Sequence, residues 1–209
     1  LVGRSLGGLV ARLYEHDCPQ EVVGMVLVDA GHESEMRQAE FRLFANAGKS
    51  MLPVIRALTM VGITRLMASY DQLPPLLMRQ EEKVSAETRP MLRAGWLRTG
   101  YYSTLTDESD GLIETLEQVR RSGSLGNLPL IVITATGPVW WPDMPGQVNQ
   151  AKFRKMWLEL QQGLTTLSTN SRQVFADQSS HFIPFDQPEL LTDVVRQLID
   201  RQRSAPYRP

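Results

Sequence analysis

The chain has 209 residues, and its 22 Lys and Arg side chains against 23 Asp and Glu give a formal net charge of −1. Nucleic-acid binding requires a clustered basic surface, so this balance argues against nucleic acid as a main partner. Hydrophobic residues make up 42% of the chain, which argues against disorder and suffices for a buried core. The single cysteine, Cys18, excludes an internal disulfide framework and a cysteine-based zinc site.

No membrane or export signal stands out in the sequence. The strongly apolar stretch 128–141 is too short to span a bilayer and contains Pro138, so we expect no transmembrane helix. The chain begins at Leu1 without an initiator Met or a leading polar segment, and no signal peptide is recognisable. The compartment stays open, with a cytoplasmic location favoured.

Three apolar runs predict buried strands, at residues 1–2, 22–28 and 128–135. They lack the alternation of a half-exposed strand and are typical of parallel strands covered on both faces. Residues 174–176 predict a short fourth strand. A helical pattern covers residues 6–15, and a last helix begins near Asp186, which we expect to be its N-cap.

The stretch between the second and third strands has no strand-like run and several amphipathic helical patterns. About ninety residues is far longer than an ordinary connection between such elements. We therefore predict an α/β protein with a parallel sheet flanked by helices and an inserted helical cap. The expected division is a core at 1–32, a cap or lid at 33–122, and a second core segment at 123–209.

The motif that points to chemistry lies at the start of the chain. Gly3-Arg4-Ser5-Leu6-Gly7 fits G-x-S-x-G, a pattern that occurs by chance in roughly one chain in fifteen of this length. Here it follows an apolar stub and opens a helix, which is the context of a nucleophile elbow. Such a turn strains Ser5, needs the small Gly3 and Gly7 for close approach, and directs the Leu6 N–H toward a developing oxyanion. The alternative is a glycine-rich turn with a serine helix cap.

A nucleophilic serine needs a general base, and the chain has three histidines. His181 follows the predicted last strand, at the sheet edge where the elbow presents Ser5, and open α/β sheets bind their ligands along this edge. The order Ser…His favours His181 as the base, although a lone histidine is often structural. His16 is expected at a solvated helix end, and His32 in a loop at the entrance to the cap.

With these residues in view, the chain resembles the C-terminal part of an α/β-hydrolase-fold protein. Residues 1–14 (LVGRSLGGLVARLY) resemble the elbow, 22–31 (VVGMVLVDAG) the following strand, and 179–191 (SSHFIPFDQPELL) the histidine loop and last helix. Residues 124–135 resemble the strand after the cap, whereas 33–123 match in position only. The resemblance implies Ser5 as nucleophile, His181 as base, and the Leu6 backbone N–H as one oxyanion donor.

The third member of the family's catalytic triad is an acid that orients the histidine, and its position here departs from the family pattern. Most members carry it shortly after the strand that follows the cap, but here no acid occurs until Asp143, eight residues past Ala135. Asp29 ends the preceding strand, and some members place the acid there, although an aspartate at this position often only caps a turn. We favour Asp29 and keep Asp143 as the alternative. Asp177 and Asp186 fit less well.

The family's second oxyanion donor comes from a loop after an early strand that these residues do not include. On the order of a hundred residues would precede the elbow in such a fold. We hypothesise that the 209 residues alone are inactive and poorly soluble. Soluble expression with Ser5-dependent ester hydrolysis would contradict this.

The sequence predicts a serine hydrolase that cleaves a carboxylic ester, thioester or amide of a small apolar substrate through an acyl-enzyme. A serine nucleophile disfavours the branches with an aspartate nucleophile, such as epoxide hydrolases. The alternatives are a C–C hydrolase or acyltransferase of the same fold, and a non-catalytic binding protein. We expect no cofactor and no metal, and the oligomeric state is undetermined. Trp140, Trp141 and Phe182 suit an apolar pocket, although we expect most apolar residues of the cap to form its own core.

Overall fold

The structure is a computed structural model that describes residues 1–139, 141 and 144–204, apart from the side chains of residues 75, 76 and 79. Four parallel strands form one sheet in the order β1-β2-β3-β4, with β1 at Val2–Arg4, β2 at Met25–Val28, β3 at Leu130–Ala135 and β4 at Ser171–Ala176. Because all four run parallel, their carboxyl ends meet at one edge. The predicted parallel α/β architecture is confirmed.

The bounds of the four strands differ from the sequence prediction. β1 runs from Val2 to Arg4 and not over residues 1–2, and β3 begins at Leu130 and not at residue 128. β2 begins at Met25 and not at residue 22, because residues Pro19–Glu21 form a 3₁₀ turn and the exposed Val23 lies before the first ladder pair. β4 begins three residues before the predicted 174–176. Its early positions, Ser171 to Gln173, are polar because β4 is an edge strand and is only partly buried.

The sheet is covered on both faces, which explains the unbroken apolar runs of β2 and β3. One face packs against α7 (Gln150–Leu164) and α9 (Pro188–Ser204) through Phe153, Trp157 and Leu198. The other face packs against α1 (Leu6–Asp17) through Ala11. The carboxyl ends of β2 and β3 carry the candidate site.

The last helix begins differently from the prediction. Asp186 is not the N-cap of α9, because it ends a separate short helix, α8 (Ile183–Asp186), and α9 starts at Pro188. The Asp186 carboxylate instead accepts a hydrogen bond from the backbone N–H of Ser180, at 2.8 Å. It therefore organises the loop that carries His181.

Five helices and no strand occupy the stretch between β2 and β3 in the part of the chain that the structure describes. They are α2 (Ala39–Met60), α3 (Ile63–Ser69), α4 (Pro75–Glu82), α5 (Arg89–Trp96) and α6 (Thr99–Ser122). α6 packs on α1 through Leu116, Val119 and Leu9. The division into core and cap stays a prediction. No single helix among the described residues has the length and apolarity to cross a membrane, and α2 and α3 reach that threshold only together, across an 81° bend.

Candidate active site

Ser5 lies in a strained turn between β1 and α1. Its φ of 51° is in the left-handed region, which non-glycine residues seldom adopt. Backbone hydrogen bonds hold the turn: the Ser5 N–H donates to the Val28 carbonyl at 3.2 Å, and the Ser5 carbonyl accepts from Gly8 N at 3.0 Å and Gly31 N at 2.9 Å. The conformation is therefore determined by the neighbouring strand and helix, as strained functional positions require.

Two glycines allow the strand and helix to approach closely. A Cβ on Gly3 would lie 2.5 Å from the Gly7 carbonyl oxygen, and a Cβ on Gly8 would lie 2.4 Å from the Ala30 Cβ. The prediction that close approach of the strand and helix requires glycine is therefore correct for Gly3. It is wrong for Gly7, where a Cβ would meet no described atom within 4 Å, because Gly8 is the residue that faces β2.

Asp29 lies at the carboxyl end of β2 and is fully buried, with φ 42°. Its Oδ1 accepts hydrogen bonds from the Ala135 N–H at 3.1 Å and from the Trp157 Nε1–H at 3.0 Å. Its Oδ2 lies 2.7 Å from Nδ1 of His181. The carboxylate acts as an acceptor for all three groups, so His181 donates from Nδ1 and leaves Nε2 as its basic nitrogen.

The turn that carries Asp29 is also held by α7. The Gln161 side-chain amide donates to the Ala30 carbonyl at 2.6 Å. Trp157 and Gln161 are four residues apart and therefore lie on the same face of the helix. This face of α7 fixes both the carboxylate and the backbone that follows it.

The loop that carries His181 is anchored at both ends. The Gly137 N–H donates to the Ser179 carbonyl at 3.0 Å, and a Cβ on Gly137 would lie 2.5 Å from that same oxygen, so the approach requires glycine. At the other end, Asp186 accepts from Ser180 and forms an ion pair with Lys83, the residue that follows α4. The His181 ring is thereby held over the sheet edge.

Arg4, inside the elbow motif, contacts the same loop. Its Nη1 donates to the His181 carbonyl at 3.3 Å, and its guanidinium carbon lies 5.2 Å from the centre of the Phe182 ring. Burial lowers the pKa of Arg4, and the negative charge of Asp29 opposes that shift. Arginine keeps its proton in proteins, so a positive charge is fixed beside the loop.

Ser5, Leu6 and His181 line one cavity of about 500 Å³. Its other walls are mostly apolar and come from α2, α6, α7, the loop after β3 and the histidine loop; they include Phe41, Phe44, Leu112, Trp141, Trp157 and Phe182. Several of these rings pack together, with Phe44 and Trp141 5.1 Å apart and Trp141 and His181 5.4 Å apart between centres. This is the size and lining of a small-molecule site.

Comparison with solved structures identifies the fold. MenH from S. aureus superposes with a TM-score of 0.57 at 17% identity, over 98% of this chain and 68% of that one. A putative epoxide hydrolase from Pseudomonas aeruginosa gives 0.60 at 14% identity, over 98% and 66%. A putative acyltransferase from Salmonella enterica gives 0.60 at 14%, over 96% and 63%.

The chain has the α/β-hydrolase fold. It spans about two thirds of the length of these three structures. No protein-family model and no curated protein matches the sequence. At these identities the likeness concerns the fold, and the chemistry rests on the residues of the site.

Within this α/β-hydrolase fold, Ser5, Leu6, Asp29 and His181 all come to the carboxyl edge of the sheet, as their positions in the sequence predict. Asp143, the alternative acid, lies outside the described residues, as does Trp140. Sequence reasoning missed Trp157 and Gln161, although their helical spacing was a signal. It also missed the contacts of Arg4, which stands inside the motif.

A second group of titratable residues lies beside the elbow. His32 Nδ1 accepts from the Ser34 N–H at 3.0 Å, and burial lowers the pKa of His32. Glu35 accepts from the His32 N–H at 3.1 Å, and burial raises its pKa to about 7. Glu33 pairs with the buried Arg12 at 2.6 Å. These residues stabilise the turn after Asp29.

The remaining groups contribute little to the site. His16 is exposed at the end of α1, as expected. Among the described residues, no three His, Cys, Asp or Glu side chains are grouped in a way that could hold a metal ion.

Proposed function

We propose that this protein is a serine hydrolase that cleaves a carboxylic ester, thioester or amide through an acyl-enzyme. The observation that carries the proposal is the buried hydrogen bond of 2.7 Å between His181 Nδ1 and Asp29 Oδ2, beside the cavity that Ser5 also lines. A buried aspartate that accepts from Nδ1 holds an imidazole in the tautomer that a general base requires. The strained turn at Ser5 supports its role as the nucleophile.

In this mechanism the Ser5 Oγ attacks the carbonyl carbon of the substrate while His181 Nε2 takes the hydroxyl proton. The tetrahedral intermediate collapses, and the imidazolium gives its proton to the leaving alcohol, thiol or amine. Water then attacks the acyl-enzyme with His181 again as base, which releases the acid and restores Ser5. Asp29 stabilises the imidazolium in both half-reactions.

The Leu6 N–H is one of the donors for the oxyanion. It lies in the first turn of α1 and lines the cavity, and N–H groups in a first helical turn have no acceptor within the helix. The positive end of the helix dipole favours negative charge at the same place. An oxyanion that forms on the carbonyl oxygen is stabilised there more than the neutral substrate is.

The cavity favours a small apolar acyl or alcohol group. Phe44, Leu112 and Trp141 form its apolar walls, and their burial of an alkyl or aryl group drives binding. The carboxylate that the reaction produces would lie near the positive charge of Arg4, which is partly buried beside the loop of His181.

A second candidate function shares the same acyl-enzyme. The likeness to a putative acyltransferase favours a variant in which an alcohol or amine acceptor, and not water, attacks the acyl group. A C–C hydrolase is the other alternative within this fold. The non-catalytic alternative was based on the absence of an acid shortly after β3, and the bond between Asp29 and His181 weakens that reason.

The test is covalent labelling by a fluorophosphonate probe, performed on the protein as its gene encodes it. The serine hydrolase proposal expects one equivalent of label on Ser5, located by mass spectrometry, and none on Ser5→Ala. The matched control is Ser69→Ala, which changes an exposed serine of α3 and should keep the label. The proposal is overturned if Ser5→Ala is labelled, or if neither the wild type nor Ser69→Ala is labelled. Product analysis with and without an alcohol acceptor separates hydrolysis from acyl transfer.

A further inference from the structure

Glu35 places a buried carboxyl group in the wall of the cavity that Ser5 also lines. Its side chain is 3% exposed, whereas Glu108 and Asp110, the other acidic residues of the described cavity wall, are exposed. Buried carboxyl groups in proteins are usually paired with a cation or hydrogen-bonded through both oxygens. The partners of the Glu35 carboxyl group therefore bear on what the cavity holds.

Only one of the two carboxyl oxygens of Glu35 has a partner within the described part of the chain. Oε2 accepts from the His32 N–H at 3.1 Å, and Oε1 forms no hydrogen bond. Arg12, a buried cation of α1, pairs with Glu33 instead, at 2.6 Å. A buried polar atom without a partner costs free energy, and a ligand that supplies the partner recovers it. Oε1 is therefore available to a polar group that enters the cavity.

The Glu35 carboxyl group is fixed close to the turn of the nucleophile. Its Oε2 lies 3.3 Å from the position of a Cβ on Gly31, and the Gly31 N–H donates to the Ser5 carbonyl at 2.9 Å. The Glu35 N–H donates to the His32 carbonyl at 2.9 Å, so the backbone and the side chain of Glu35 are both held by one residue. Because Ser5 and Glu35 line the same cavity, an acyl group bonded to Ser5 would enter the space that Glu35 faces.

A neutral hydroxyl group suits Glu35 better than a charged group does. Burial raises the pKa of Glu35 to about 7, so the acid and the carboxylate both occur near neutral pH. A hydroxyl group can accept a hydrogen bond from the acid and donate one to the carboxylate. An ammonium group would meet the positive charge of Arg4 in the same cavity, and a carboxylate would be repelled by the ionised form of Glu35.

We propose that Glu35 is a specificity-determining residue that hydrogen-bonds a hydroxyl group on the acyl part of the substrate. The inference rests on the proposed function and narrows its substrate class to an ester, thioester or amide of a hydroxy acid. The apolar walls of the cavity bind the remaining carbon chain. A site that contains a buried hydrogen-bonding group discriminates against the analogue without the hydroxyl, because that group then has no partner.

The test is binding of ethyl 3-hydroxyhexanoate, ethyl 6-hydroxyhexanoate and ethyl hexanoate to Ser5→Ala, which lacks the proposed nucleophile. Binding is followed by the fluorescence of Trp141 and Trp157 in the cavity wall. We expect one of the hydroxy esters to bind roughly tenfold more tightly than ethyl hexanoate. The same series then compares second substitutions made in Ser5→Ala.

Glu35→Gln should keep the preference for the hydroxy ester, because its amide both donates and accepts hydrogen bonds. Glu35→Met and Glu35→Leu should each abolish it. The matched control is Glu82→Met, a change at an exposed acid of α4, which should keep the preference. Circular dichroism shows which variants are folded.

The inference is overturned if neither hydroxy ester binds more tightly than ethyl hexanoate, or if a folded Glu35→Met or Glu35→Leu protein keeps the preference. It is also overturned if ethyl 6-aminohexanoate binds more tightly than both hydroxy esters, because Glu35 would then be the partner of a cation. Fluorophosphonate labelling of Ser5 in the wild type tests the serine chemistry separately. Absence of the label with an intact preference would overturn the hydrolase proposal and leave the hydroxyl site of Glu35 in place.

Discussion

The carboxyl edge of the sheet and the helical region between β2 and β3 are built in different ways. At the edge, Asp29 and His181 are buried, and hydrogen bonds reach Asp29 from β3, α7 and the histidine loop. In the helical region, most large side chains of α2 and α3 are exposed and the hydrogen bonds stay mostly within their own helices. Two strained residues persist at the edge because several elements fix them together. The helices shape the cavity without that constraint.

The largest expected effect is the loss of kcat when Asp29, the proposed acid at the carboxyl edge, is replaced. Asp29→Asn keeps the shape of the side chain but removes the charge that orients and stabilises the His181 imidazolium. We expect kcat on an activated ester to fall by about 10⁴-fold. Asp143→Asn is the matched control and should keep wild-type kcat. A mild effect of Asp29→Asn together with a large loss in Asp143→Asn would assign the acid to Asp143.

Glu35 makes the stability of the edge depend on pH. Burial raises its pKa to about 7 from 4.5, so the folded chain holds a proton that the unfolded chain has released. The free energy of unfolding therefore falls as pH rises from about 4.5 through 7, by up to about 3 kcal/mol, and then levels off. Glu35→Gln still accepts from the His32 N–H and should remove this dependence.

Urea unfolding at pH 5 and pH 8 measures the effect. Glu35→Gln should exceed the wild type in stability at pH 8 and differ much less at pH 5. The exposed Glu82→Gln, in the helical region, should change stability little at either pH. An equal gain at both pH values would mean that burial of the Glu35 charge is not the cause.

Replacing one tryptophan at the carboxyl edge and one in the helical region should give a smaller difference in kcat between the two regions. Trp157→Phe keeps a ring in the stack with Phe41 and Phe153 but removes the N–H that bonds Asp29. Loss of a hydrogen bond to a charged group costs about 1.5–3 kcal/mol, and we expect kcat to fall by roughly tenfold. Trp96→Phe, equally buried in α5, should leave kcat unchanged, and equal losses in the two variants would contradict a role for the indole N–H.

The smallest expected effect belongs to the surface of the helical region. Met91 of α5 is 77% exposed, so Met91→Gln removes no buried contact. The free energy of unfolding, measured by urea, should change by no more than about 0.5 kcal/mol. A larger loss would show that this helix is covered by another part of the protein.

The sequence predicted the fold from patterns that are local. Unbroken apolar runs identified β2 and β3, and Gly3 with Ser5 identified the elbow, because a sharp strand-to-helix turn needs those residue types. The first three residues of β4 were not predicted as strand, because the prediction relied on apolar runs. They are polar because β4 is an edge strand. The prediction that Asp186 is an N-cap was wrong, because its carboxylate instead accepts a hydrogen bond from Ser180 and forms an ion pair with Lys83.

The choice between Asp29 and Asp143 could not be made from the sequence. Asp29 reaches His181 because the strand ends lie side by side, and Trp157 and Gln161 of α7 fix the turn. These contacts join residues more than 100 positions apart, and no local pattern records them. The same limit hid the role of Gly137, whose need for glycine comes from the distant Ser179 carbonyl.

The distance in sequence between Asp29 and His181 has a consequence for biosynthesis. The two residues are 152 positions apart, and β3 and β4 lie between them along the chain. At a synthesis rate of 5–20 residues per second, His181 leaves the ribosome roughly 8–30 s after Asp29. Throughout that interval the nascent chain lacks His181, so the hydrogen bond between His181 and Asp29 cannot form. The proposed serine hydrolase activity would therefore begin only after β4 and the loop that follows it have been synthesised.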